Sequence, residues 1–262
     1  NGRHIRFAAL ALEKGNQRFD FQRREGEDPC LPADPGAQRQ LRQYQEFLGR
    51  YMAPTSPYRN ILLYHGLGSG KTATAINLIN ILYHYDPNTN FVICIKAYLL
   101  DDPWLTDLST WAARGPDEEG VEGVQSLRIW QNLYWVHYDS PHAGRDFADR
   151  MKQIDTRRRT MFIIDESHNF IRNVRSNLVA GGEGRASSIY QQILETRLQN
   201  AETRVVLISA TPAVNEPYEI ALTFNLLRPG TFPTDESEFV RQYITKSVYP
   251  ILNPERRNTF MR

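Results

Sequence analysis

The chain has 262 residues, 31 basic and 30 acidic side chains, a formal net charge of +1 and 41% hydrophobic residues. That length suffices for one large α/β-sized domain with extensions and a substantial core, and it excludes two such domains. The even charge balance excludes a uniformly basic surface, so any nucleic-acid contact must be a local patch; no apolar run of about 18 residues occurs, which predicts a soluble chain with no membrane partner.

Residues 1–37 are rich in Arg, Gly and Pro and read as a mobile N-terminal extension. The first residue is Asn1, as in a processed or partial chain. The two cysteines, Cys30 and Cys94, lie far apart, which argues against a disulfide framework and for a reducing compartment. From 38 to 52, Leu41, Tyr44, Phe47 or Leu48, and Tyr51 recur at helical spacing and predict an amphipathic helix carrying Gln45.

The stretch 60–77, NILLYHGLGSGKTATAIN, then turns an apolar strand into a glycine-rich loop and a helix. Gly66, Gly68 and Gly70 lack a Cβ, so backbone N–H groups, with that of Ser69 among them, can close around an anion. Lys71 follows to reach the β- and γ-phosphates of a bound ATP, and Thr72 offers a hydroxyl to Mg²⁺. His65 occupies the position where the strict phosphate-loop pattern has its first glycine.

Apolar runs at 91–97, 134–138, 161–164 and 205–209 predict four more strands, separated by helical segments. Helices between short buried strands predict an α/β fold with a parallel sheet flanked by helices on both faces. After 91–97 a loop feeds a helix, and Trp104 and Trp111 read as core residues. The 161–164 run ends in Asp165-Glu166-Ser167-His168. A carboxylate at the tip of a buried strand beside a phosphate loop suits Mg²⁺, which assigns Asp165 to the metal and Glu166 to the attacking water. His137 has no partner at metal-ligand spacing and reads as structural. Residues 169–188 read as a loop in which Arg172, Arg175 and Arg185 either meet phosphate or are solvated, and a helix is predicted from Ile189. Arg157, Arg158 and Arg159 precede their strand and read as a solvated basic cluster at the opposite edge.

The order of glutamine helix, GxGKT, DExH and Ser209-Ala210-Thr211 resembles the first RecA-like lobe of superfamily 2 nucleic-acid-dependent ATPases. The residues TPAVN after 210, NLLRP at 225–229 and LLYHGLGSGKT narrow the resemblance to the Snf2-like helicases and nucleoside triphosphatases of large DNA viruses, a group that includes the poxvirus early transcription factor small subunit. Several implications come with that resemblance. Gln45 would read the adenine edge, the alternative being a glutamine on an exposed helix face. His168, Ser209 and Thr211 would link nucleotide state to a DNA or RNA track, with Lys96 and Tyr98 as further candidates for nucleic-acid contact. Viral RNA polymerase or transcription-factor subunits would be partners, and the virion and host cytoplasm the location. The lobe would span 38–233, and 234–262, with a short helix at 239–244, would lead as a linker toward a second lobe that carries an arginine finger. Two other classes stay open, a non-catalytic subunit that uses the lobe to bind DNA or polymerase, and a P-loop phosphotransferase, in which the motifs at 165–168 and 209–211 would have no role.

Overall fold

All five predicted apolar runs form strands: β1 (Asn60–Tyr64), β2 (Asn90–Ile95), β3 (Leu133–His137), β4 (Thr160–Ile164) and β5 (Arg204–Ser209). The computed structural model describes residues 41–66, 68–181, 184–211 and 216–244. The expected arm over 1–37, the Pro212–Asn215 part of the TPAVN stretch and the tail from 245 lie outside the described residues. The strands form one sheet in the order β1-β5-β4-β2-β3, every pair parallel. Parallel neighbours need crossover connections, and these put helices over both faces.

Burial follows from that arrangement. β2, β4 and β5 are buried at every position, whereas the edge strands β1 and β3 are partly open. Side chains alternate between two cores. Phe91, Ile93, Ile95, Met161, Ile163, Val206 and Ile208 face α1 (Gln43–Tyr51), α2 (Lys71–Tyr85) and α3 (Thr106–Trp111). Val92, Cys94, Phe162, Ile164, Val205 and Leu207 face α4 (Ala143–Gln153), α5 (Ser167–Val179), α6 (Arg185–Gln199), α7 (Pro217–Leu227) and α8 (Glu236–Tyr243). Each of these large side chains contributes roughly 1.5–3 kcal/mol by its burial. Cys94 is core packing, its thiol pushed up to about 12 by burial.

Two features correct the sequence reading. Residues 169–188 are not a loop, because α5 covers Ser167–Val179 and α6 begins at Arg185. Phe170, Ile171 and Val174 form a narrow apolar stripe that buries against the sheet, and the Asn, Ser and Arg between them disguise it. Arg175 accordingly pairs with Glu236 at 2.8 Å, joining α5 to α8, and Arg185 donates to the Ser140 carbonyl at 3.3 Å. In the basic cluster, Arg157 and Arg158 are solvated as expected. Arg159 is not: it bridges Glu202 at 2.9 Å and Asp86 at 3.4 Å and lies 4.9 Å from the Tyr85 ring.

Arg204, the first residue of β5, is fully buried. Its guanidinium donates to the carbonyls of Met52 and Tyr58, both at 3.0 Å, and of Ala53 at 3.4 Å. Burial pulls its pKa down to about 10, so it remains charged at neutral pH. This side chain ties the connection between α1 and β1 to the start of β5.

Candidate functional site

The C-terminal ends of β1, β4 and β5 bring the three motifs together, since β5 lies between the strand of the glycine loop and the strand of the carboxylates. Gly68 and Gly70 both adopt φ +71°, a left-handed conformation that a side chain would strain. A Cβ at Gly70 would also stand 3.0 Å from Gln45 Nε2. Ser69 Oγ donates to the Gly66 carbonyl at 2.8 Å, and Lys71 Nζ reaches the same oxygen at 3.3 Å across the loop. Thr72 is buried in the first turn of α2.

α1 clamps this loop. The Gln45 amide donates to the Gly70 carbonyl at 3.1 Å and to Thr74 Oγ1 at 3.2 Å, while its Oε1 accepts from the Arg42 N–H at 2.8 Å. Gln45 is 4% exposed, which removes the exposed-face alternative. The neighbouring Tyr44 hydroxyl donates to the Ser69 carbonyl, and its ring meets His65 edge-on at 5.2 Å. Beside the loop lies a cavity of about 450 Å³ lined by Arg42, Gln45, Ser69, Gly70, Asp107 and Trp111. The contact of Tyr44 with the loop carried no signal in the sequence, because tertiary packing alone brings Ser69 to it.

Asp165 sits at the tip of β4 and is 5% exposed. Burial raises its pKa, opposed by hydrogen bonds from Trp104 and from the Glu166 N–H and by the charge of Lys71. Oδ2 accepts from the Trp104 indole at 2.9 Å and Oδ1 from the Glu166 N–H at 2.8 Å. The Tyr138 hydroxyl, just beyond β3, donates to the carbonyls of Asp165 at 3.1 Å and Glu166 at 3.3 Å. Glu166 has φ +47°, the one positive φ at a non-glycine among the described residues, and starts α5. Such a conformation costs on the order of 1 kcal/mol and persists where the surroundings over-determine it.

His168, on the first turn of α5, joins the carboxylate motif to β5. Its Nδ1 lies 3.0 Å from Ser209 Oγ and 3.3 Å from Glu166 Oε2, and Ser209 Oγ in turn accepts from the Thr211 N–H at 3.0 Å. Burial, followed by the charges of Arg172 and Lys96, lowers the His168 pKa and favours the neutral ring. Thr211 itself is exposed. Lys96 and Tyr98 follow β2, with Tyr98 68% exposed and the ammonium 6.0 Å from its ring. His137 belongs to no metal-ligand cluster among the described residues. Of the two tryptophans read as core, Trp104 is fully buried yet also touches Asp165, whereas Trp111 is half-buried at the cavity.

Comparison with known proteins places these residues in a family. The family model described as Type III restriction enzyme, res subunit, matches residues 38–214. A protein of Acanthamoeba polyphaga mimivirus named as an ATP-dependent RNA helicase is 54% identical over 262 residues, covering 100% of this chain and 32% of the relative. Nucleoside triphosphatase I of Melanoplus sanguinipes entomopoxvirus is 32% identical over 195 residues, covering 72% of this chain and 27% of the relative. The chain therefore spans about a third or less of the length of these relatives. The SWI2/SNF2 ATPase core of Sulfolobus solfataricus, solved in complex with dsDNA, aligns with a TM-score of 0.46 at 20% identity over 79% of this chain and 39% of that one. A match that runs from the glutamine helix through the glycine loop and the motif at 165–168 and past β5 means that the chain belongs to the Type III restriction enzyme res subunit family, with relatives in large DNA viruses.

Proposed function

We propose that this chain is the ATP-binding lobe of a nucleic-acid-dependent ATPase, a helicase or translocase that works on DNA or RNA in viral transcription or DNA remodelling. The observation that carries the reading is the His168 bridge between Glu166 and Ser209. A carboxylate placed to activate water lies 3.3 Å from an imidazole that meets the C-terminal end of the inner strand β5. A lobe that only bound nucleotide has no use for that link. The names of the mimivirus and entomopoxvirus relatives support the same reading.

In this account the loop N–H groups and Lys71 hold the β- and γ-phosphates of ATP. The donor set fits a hard divalent cation: the Asp165 carboxylate and the Thr72 hydroxyl are both oxygen ligands, both are buried, and Lys71 lies near enough for its charge to act on Asp165. Mg²⁺ held there would neutralise charge on the phosphates. Glu166 orients the attacking water and accepts its proton, which its partly exposed carboxylate is free to do beside a neutral His168. Partners among viral polymerase or transcription-factor subunits, and a place in the virion and host cytoplasm, belong to the same proposal.

The test is ATP hydrolysis by the full-length protein with no nucleic acid, with DNA and with RNA. Turnover that one nucleic acid stimulates and that Lys71→Ala abolishes is the expected result. Nucleotide binding without turnover under all three conditions would favour a non-catalytic subunit and overturn the motor reading.

A further inference from the structure

We propose that Trp104 is a positioning residue of this site, its indole N–H holding the Asp165 carboxylate in the orientation that receives the metal ion. The inference rests on the nucleotide-site reading above. Trp104 is fully buried, and its Nε1 donates to Asp165 Oδ2 at 2.9 Å while the Glu166 N–H takes Oδ1 at 2.8 Å. One donor on each oxygen fixes the plane of the carboxylate, and each oxygen keeps a lone pair for a further ligand. The indole is a neutral donor. It orients the carboxylate without cancelling its charge, as an arginine or lysine would, so the full attraction for a cation is retained.

The indole has little freedom to leave. Its ring packs edge-on against Trp135 at 5.7 Å, and Trp135 tilts onto Trp130 at 5.9 Å. The Nε1 of Trp135, buried in the same cluster, has no hydrogen-bond partner among the described residues. A tryptophan N–H in this core is therefore not automatically satisfied, and that of Trp104 is directed at the buried carboxylate at the tip of β4.

Position in the chain gives the contact a second consequence. Trp104 lies in the irregular helical turns 97–105, between the exposed Tyr98 and α3, whose Asp107 and Trp111 line the cavity beside the glycine loop. One continuous segment thus runs from the C-terminal end of β2 past the Asp165 carboxylate to the cavity.

The experiment uses the full-length protein and follows Mg²⁺-dependent tightening of ADP binding, alongside the Mg²⁺ and ATP concentrations for half-maximal hydrolysis. Trp104→Phe keeps an aromatic ring and removes the donor. It is expected to raise the Mg²⁺ requirement about 10–100-fold, the usual effect of removing a group that orients a metal ligand, with ADP binding in the absence of Mg²⁺ unchanged. Leu108→Val, which loosens the same core without touching Asp165, should lower the thermal midpoint and leave the Mg²⁺ requirement alone. An unchanged Mg²⁺ requirement in folded Trp104→Phe, or an equal shift in Leu108→Val, would overturn the proposal. A measurement that needs no variant at position 104 covers the case in which Trp104→Phe does not fold. In Trp111→Phe the remaining tryptophan emission should still change when Mg²⁺ joins ADP, and no change would overturn the proposal. Wild-type protein that binds no nucleotide would instead refute the underlying site.

Discussion

His168 Nδ1 lies 3.0 Å from Ser209 Oγ, so the first turn of α5 and the last residue of β5 are joined by a single hydrogen bond between side chains. β5 stands beside β1, the strand that leads into the glycine loop, so the bond links the motif at 165–168 to the strand next to that loop. Ser209→Ala removes the hydroxyl that meets His168 while keeping the strand. Basal ATP hydrolysis is expected to stay within a few-fold of wild type, and stimulation by nucleic acid to be lost. Steady-state hydrolysis with and without DNA or RNA measures both; a variant stimulated like wild type would show that the bond carries no coupling.

The same histidine sets a pH dependence. Burial lowers the pKa of His168, and burial together with Lys71 lowers that of His65. In the unfolded chain both titrate near 6.5. Between that value and the lower folded ones, the unfolded state binds more protons, so stability falls as pH falls through the window and is insensitive to these groups above it. Thermal midpoints measured from pH 8 to pH 5 should therefore drop below about pH 6.5, and His168→Gln should flatten part of that drop.

Arg204 predicts a larger effect on stability. Arg204→Met removes the donors to three carbonyls in the α1–β1 connection, leaving those of Met52 and Tyr58 without them. A loss on the order of 3 kcal/mol is expected from denaturant unfolding. A change below about 1 kcal/mol would mean that the connection is held by other contacts.

Arg204 marks the limit of what was legible in the sequence. Apolar runs gave all five strands, because a parallel strand buried on both faces leaves a continuous signature. Lys71, Asp165 and Glu166 stood out because a phosphate and metal site would constrain residue type at short spacing, and the fold brings the strand ends that carry them together. The clamp by Tyr44 and Gln45, the anchor at Arg204 and the indole on Asp165 were not, since each joins residues far apart in the chain, and only packing decides that they meet. Helix α5 was missed for a different reason. Its buried stripe is only three residues wide and is surrounded by side chains that also suit loops.

Gln45 offers a check on the clamp. Gln45→Ala removes the donor to Gly70, so the loop loses its preformed shape and nucleotide binding should weaken by about tenfold, with less effect on turnover at saturation. Gly70→Ala should weaken binding further, because it adds both a strained φ and a 3.0 Å approach to the Gln45 amide. ADP affinity by calorimetry separates the two, and unaltered affinity in Gln45→Ala would deny the clamp a role.

The central claim is that this site hydrolyses ATP by way of Glu166, and a comparison of Glu166→Gln with wild type in the full-length protein tests it most directly. Glutamine keeps the size of the side chain and cannot accept the proton from water. ATP affinity should stay near that of wild type while single-turnover hydrolysis falls about 10²- to 10⁴-fold, the usual worth of a positioned general base. Hydrolysis by Glu166→Gln at the wild-type rate would contradict the account.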